Sequence, residues 1–153
     1  MDQPAEDEFR PFFLEVEPRL RRALCAALGP QLGKDATLEG MSWAWEHWSK
    51  AQSLDDPVAY LFRVGQSKVR RRKEPLLSAS RDWRDPMVEP ELPTALADLT
   101  ESQRLAVVLI HAFGWTFREV SELTGTSIST VQKHLERGLS KLRIALSVED
   151  DHG

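Results

Sequence analysis

An all-α fold of two small helical domains joined by a linker is predicted by three features of this 153-residue chain. Apolar residues recur at steps of three and four in most segments able to bury anything, which is the spacing of one helix face. No segment shows the apolar–polar alternation of a half-buried strand. Between the two periodic regions, residues 74–98 carry Pro75, Pro86, Pro90 and Pro93, few apolar side chains, and six acids against two bases. The organisation read from this is an N-terminal four-helix domain over residues 1–73, an acidic linker over 74–98, a helical domain over 99–146, and an acidic tail over 147–153.

In the N-terminal domain, Phe9, Phe12, Phe13 and Val16 share a face of a first helix. Pro18 then suits the first turn of a second, where its missing N–H is not needed. Leu20, Ala23, Leu24, Ala27 and Leu28 give that helix its buried stripe, and Gly29-Pro30 ends it. A third helix is expected over Asp35–Lys50, with Asp35 at or near its N-cap and Leu38, Met41, Trp45 and Trp48 facing inward. Trp43 lies off that stripe and is the candidate for a partner surface. Asp56-Pro57 opens a fourth helix, a capping carboxylate followed by proline at the first helical position. Val58, Leu61, Phe62, Val64 and Val69 are its expected core positions. Its second half, LFRVGQSKVRRRK, holds Arg63, Lys68, Arg70, Arg71, Arg72 and Lys73 with no acid. A solvated helix face usually mixes signs, whereas a one-signed run suits phosphate.

After the linker, where Trp83 is a docking candidate, Thr100 and Gln103 form a capping-box pattern that starts a helix running to Phe113. Gly114 ends it. Thr116 and Glu119 repeat the capping box, followed by Phe117, Val120 and Leu123 at helical spacing, and Gly125 supplies a C′ position. Ser127 caps a last helix whose stripe is Ile128, Val131, Leu135, Leu139, Leu142 and Leu146. Two helices joined by a tight glycine-containing turn are a helix-turn-helix. Its outer face would carry Ser129, Thr130, Lys133, His134, Arg137 and Lys141, the residue types that meet phosphates and base edges in a major groove. The competing reading is an αα-hairpin with an ordinary solvated face.

Totals narrow the function classes. The chain is 41% hydrophobic and 29% charged, which is globular in composition. Its net charge of −4 hides an uneven distribution, because the acid gathers in the linker and tail while the two folded segments are slightly basic. Cys25 is the single cysteine, so no intrachain disulfide forms; its apolar neighbours suggest a buried thiol. His47, His111, His134 and His152 have no metal-ligand spacing, and no glycine-rich phosphate loop is present. No catalytic group, metal or cofactor is therefore expected. There is no run long and apolar enough to span a membrane and no signal-peptide pattern, and the expectation is a cytoplasmic protein.

Two stretches together resemble a known family, the extracytoplasmic-function sigma factors of bacterial RNA polymerase. DDPVAYLFRVGQSKVRRRK, Asp55–Lys73, is similar to the family's helix for the minus-ten promoter element. LTESQRLAVVLIHAFGWTFREVSELTGTSISTVQKHLERGLSKLR, Leu99–Arg143, is similar to its minus-thirty-five-binding domain. The resemblance implies a dissociable subunit that binds core RNA polymerase and promoter DNA, with an anti-sigma factor as a further candidate partner. It implies DNA contacts from Arg63, Lys68, Arg70, Arg71, Arg72 and Lys73 in the first domain and from the helix-turn-helix face in the second. It also implies a polymerase-facing set of Asp35, Leu38, Glu39 and Trp43, although DATLEGMSWAW stands where the family carries a more acidic, glutamine-containing helix. Trp48 and residues 49–54 are candidates for stacking on unpaired bases. The alternatives are a degenerate sigma-like protein that titrates an anti-sigma factor, and a helix-turn-helix regulator that acts without polymerase.

Overall fold

The computed structural model describes residues 3–72 and 91–150, and among these it contains helices and no strands. The described residues form eight helices: α1 (Glu6–Leu28), α2 (Pro30–Glu46), the single turn α3 (Trp48–Ala51), α4 (Pro57–Arg72), α5 (Glu91–Ala97), α6 (Glu101–Val107), α7 (Phe117–Thr124) and α8 (Ile128–Asp150). A π-helical turn over Val108–Ala112 extends α6. Helices α1, α2 and α4 pack on one another; α5, α6 and α7 pack against α8. The predicted division into two helical groups is thus observed. Their buried side chains nevertheless join in one cluster, because α1 lies against α6 and α4 against α7.

The first domain has four helices, as the sequence pattern suggests, but they divide the chain at different places. No break occurs at Pro18: α1 is continuous through Pro11 and Pro18. Proline removes the donor to the carbonyl four residues back. For Pro18 that is Leu14, which is 67% exposed, so water can satisfy the orphaned oxygen. Gly29-Pro30 ends α1 as expected but also begins α2. Gly29 sits at φ 91° as the hinge, and Pro30 occupies the first turn of α2. Asp35 is therefore inside a helix, not at or near its N-cap.

The inward face of α2 is lined mainly by small residues. Gly33, Ala36, Thr37, Gly40, Met41 and Ala44 are buried, whereas Leu38 is 70% exposed and Trp45 is half-buried. The reason is close helix crossing. A Cβ on Gly33 would lie 2.4 Å from Cys25 Cα, and one on Gly65 would lie 2.5 Å from the Ala36 carbonyl oxygen. Large side chains on those faces would hold α1, α2 and α4 apart. Trp48 is buried among Phe9 and Phe12, both edge-on to it, and its Nε1 donates to Glu8 at 3.3 Å. It belongs to the core, so it is not a platform for unpaired bases. Cys25 is half-buried, and burial pushes its thiol pKa up.

The start of α4 follows the sequence reading, with Asp56 Oδ1 accepting from the Ala59 N–H at 3.1 Å. Both capping boxes form: Thr100 with Gln103 and Thr116 with Glu119. Within the segment 74–98, residues 91–97 form helix α5, and residues 74–90 lie outside the described residues. Pro93 lies within its first turn, where it is tolerated, and Ala95 and Leu99 are buried at its far end. Trp83 and Lys73 lie outside the described residues, as do the side chains of Arg71 and Arg72.

Candidate nucleic-acid and polymerase interfaces

The helix-turn-helix is α7, a turn at Gly125, and α8. Gly125 adopts φ 74°, the left-handed conformation that favours glycine, and its N–H closes α7 onto Ser121. The turn is then laced by hydroxyls. Ser121 Oγ donates to the Thr126 carbonyl, and the Thr124 and Thr126 hydroxyls pair at 2.8 Å. Ser127 Oγ accepts from the Thr130 N–H at 3.1 Å and lies within hydrogen-bond reach of the Ser129 and Thr130 hydroxyls. A serine-capped helix start with further hydroxyls beside it presents N–H donors and the positive end of the helix dipole to an anion.

Val131, Leu135 and Leu142 anchor the inner face of α8. Gly138 lets it approach α6 closely, since a Cβ there would meet Val107 Cγ2 at 2.8 Å. Registration by these residues leaves Ser129, Lys133, Arg137 and Lys141 exposed. Lys133 and Arg137 are one turn apart, roughly 6 Å along the axis. Lys141 reaches back to Gln103 Oε1 at 2.9 Å. His134 is half-buried and lines a cavity of about 20 Å³ with Ser102, Ala106, Val120, Thr124, Thr126 and Val131, so it sits at the rim of the exposed face.

In the first domain, Arg63 and Arg70 are exposed on α4. Lys68 lies 3.9 Å from Glu39 of α2, so one residue of the predicted cationic track and one of the predicted polymerase-facing set form an ion pair. Trp43 stacks on His47 with ring centroids 4.5 Å apart and packs against Tyr60. Lys50 lies over the Tyr60 ring at 5.1 Å. Asp35 and Leu38 are exposed on the outer side of α2. Leu38, Phe13 and Met41 line an open cavity of about 250 Å³ between α1 and α2, flanked by Glu17, Arg21 and Lys34.

Of the residues that carry the contact between the two helical groups, Glu119 is marked in the sequence only as half of a capping box, and Arg104, Glu101 and Arg19 are not marked out by any sequence pattern. Arg104 of α6 donates to the carbonyl oxygens of Ala26 and Ala27 at the end of α1. One signal was present: Pro30 has no N–H, so the Ala26 carbonyl lacks its helical partner. Burial lowers the Arg104 pKa, with Glu101 acting in the opposite sense. Glu119 accepts from the Thr116 N–H at 3.0 Å and from Arg19 at 2.8 Å.

The Thr116 backbone hydrogen bond is the main cause that holds the Glu119 carboxyl below its usual pKa, with Arg19 adding to it. A depressed carboxylate contributes stability that is complete above its unfolded pKa of about 4.3 and is lost as pH falls through the folded value. Protection of the α7 N-terminus against hydrogen exchange should therefore be flat above about pH 5 and fall at lower pH, and Glu119→Gln should flatten that fall. Equal acid sensitivity in both proteins would exclude Glu119 as its source.

These elements define a two-part helical protein with a C-terminal helix-turn-helix. Residues 90–142 match the sigma-70, region 4 family. RNA polymerase sigma factor CarQ of Myxococcus xanthus is 39% identical over 66 residues, a segment covering 43% of this chain and 38% of CarQ. The chain thus spans well under half the length of that relative. The sigma factor RpoE from Bartonella quintana, solved in complex with the anti-sigma factor NepR, superposes with a TM-score of 0.64 at 20% identity. That match covers 92% of this chain and 98% of RpoE. CnrH, solved in complex with the cytosolic domain of CnrY, gives a TM-score of 0.63 at 22% identity over 94% of this chain and 90% of its own. The two structures show the fold, and together with CarQ they bear out the resemblance to sigma factors. Among the described residues no helix is long and apolar enough to cross a membrane, and no group of His, Cys, Asp or Glu could hold a metal ion.

Proposed function

We propose that this chain is a cytoplasmic sigma factor that binds core RNA polymerase and directs promoter-specific initiation. The observation that carries this reading is the region 4 helix-turn-helix following an N-terminal α1–α2–α4 unit, in a fold shared with the sigma factor RpoE and with CnrH over more than nine-tenths of the chain. The helix-turn-helix would read the upstream promoter element through the outer face of α8. Arg63, Lys68 and the Arg70–Lys73 cluster would track phosphates nearer the melted region. Regulation by an anti-sigma factor is part of the proposal, since both solved relatives are bound to such a partner or to a cytosolic domain. No catalytic role is assigned to any residue. The test is a pull-down with core polymerase followed by run-off transcription. Binding with promoter-dependent transcripts supports a sigma factor; binding to a small regulator alone supports titration; DNA binding as a dimer without polymerase supports an independent regulator.

Within this reading, Leu38 is the polymerase-facing residue whose role is easiest to isolate. A leucine 70% exposed on the outer side of α2 adds little to folding. Burying it against a partner would contribute about 1.5–3 kcal/mol. Leu38→Asp should weaken core-polymerase binding by roughly tenfold or more with an unchanged melting temperature. Unchanged affinity would remove Leu38 from the interface.

A further inference from the structure

Trp48 is in the core, yet a different pair of rings stands open beside it. At the end of α2, Trp43 and His47 lie one turn apart, with ring centroids 4.5 Å apart and planes 15° from parallel. His47 is exposed and Trp43 is half-buried. One face of the imidazole is covered by the indole, and the other is left to solvent. Tyr60, in the first turn of α4, packs against Trp43 with centroids 5.1 Å apart. Lys50 of α3 holds its Nζ 5.1 Å from the Tyr60 ring and 6.0 Å from the Trp43 ring. Helix capping does not account for the stack. The Trp43 carbonyl already accepts the His47 backbone N–H at 2.8 Å. His47 Nδ1 lies 3.0 Å from the same oxygen, which can only accept, so Nδ1 donates to it. The effect of this second hydrogen bond is to fix the orientation of the ring. An exposed imidazole adds nothing to the core either. What the arrangement provides is a flat surface ordered in advance, with a cation beside it.

We propose that an unpaired nucleobase stacks on the open face of His47, as the third layer of the Trp43–His47 column, with Lys50 holding the adjoining phosphate. This deepens the sigma-factor reading and rests on it for the source of the single strand, a melted promoter. Every base has a π face, and single-strand sites combine aromatic surfaces with cations that follow the backbone. A ring already held by a stack and a hydrogen bond loses little freedom when a further ring settles on it. A second cation lies on the same side of α2. Glu39, one turn before Trp43, pairs with Lys68 of α4 at 3.9 Å. The proposal also gives Trp43 a place under the base, where its ring is held by His47 and Tyr60 of its own chain.

The test is fluorescence anisotropy of the full chain with three labelled probes: a short single strand, the same strand with abasic sugars in place of its bases, and its duplex. His47→Ala should weaken single-strand binding by about fivefold or more, as loss of one base–aromatic stack does. It should leave the abasic strand and the duplex unaffected. His47→Phe keeps a flat ring without the imidazole nitrogens and should bind the single strand as the wild type does. His111→Ala removes an exposed imidazole elsewhere and should change nothing. Lys50→Gln should lower the salt slope by about 0.7 on the single strand, with or without its bases. A wild type that binds the single strand no better than the abasic one would overturn the proposal. So would an equal loss on all three probes in His47→Ala, a His47→Phe protein as weak as His47→Ala, or a salt slope that Lys50→Gln does not alter. Failure of the sigma-factor reading shows separately, as absence of promoter-dependent transcripts from wild-type chain and core polymerase.

Discussion

Gly33→Ala is expected to lower the melting temperature of this protein by roughly 4–8 °C, although alanine is the better helix former. On propensity alone the substitution inside α2 would stabilise by up to about 1 kcal/mol. Contact geometry decides against it. The new methyl would lie 2.4 Å from Cys25 Cα and 2.6 Å from Cys25 N, both backbone atoms of α1 that cannot rotate aside. The two helices would have to separate, and α1, α2 and α4 share one set of interlocked small-residue contacts. Overpacking of this kind costs about 1–3 kcal/mol and sometimes more. A net loss of about 2 kcal/mol in a chain of this size corresponds to the stated shift. Gly114→Ala is the contrast. Nothing lies within 4 Å of its Cβ position, so only its φ of 73° opposes alanine, at about 1–2 kcal/mol. Thermal unfolding followed by circular dichroism measures both. A Gly33→Ala protein that melts higher than the wild type would mean that α1 and α2 do not cross this closely.

What was legible in the sequence was local, and what was missed was set by partners distant along the chain. The two capping boxes, the Asp56 cap and the left-handed Gly125 each depend on residues a few positions apart, and they form as read. The stripe Leu20–Leu28 was also readable, because burial there needs only apolar side chains at helical spacing. The inner face of α2 was not. Periodicity weights large apolar residues and so points Leu38 and Trp45 inward, whereas the true inner face is chosen by glycines against α1 and α4. Pro18 does not break α1, since a proline in a long helix is tolerated where water reaches the freed carbonyl. In the candidate sites, exposure of Lys133 and Arg137 followed from the stripe opposite them. The core position of Trp48 was also readable, as part of the inward stripe. The Lys68–Glu39 pair and the Arg70–Glu101 contact were not, because each joins elements whose relative placement no local pattern encodes.

On the proposed sigma-factor reading, Arg137→Ala is expected to weaken binding of the polymerase complex to promoter DNA by about 5- to 160-fold, and to relax preference at one position of the upstream element. The side chain is exposed on α8 one turn beyond Lys133, and Val131, Leu135 and Leu142 fix that register from the other side. It has the chemistry for a bidentate contact to a guanine edge, and such a contact is worth about 1–3 kcal/mol of discrimination. If it instead neutralises a phosphate, the loss will be similar for every sequence, and the slope of log affinity against log salt will fall by about one unit. Lys133→Ala divides the two cases. A lysine placed near the capped start of α8, where Ser127 and Thr130 already present donors to an anion, is expected to show the phosphate signature: uniform loss and reduced slope. The measurement is affinity of the polymerase complex for a panel of upstream-element variants at several salt concentrations. If neither substitution alters affinity, slope or sequence preference, the outer face of α8 is not the surface that reads DNA.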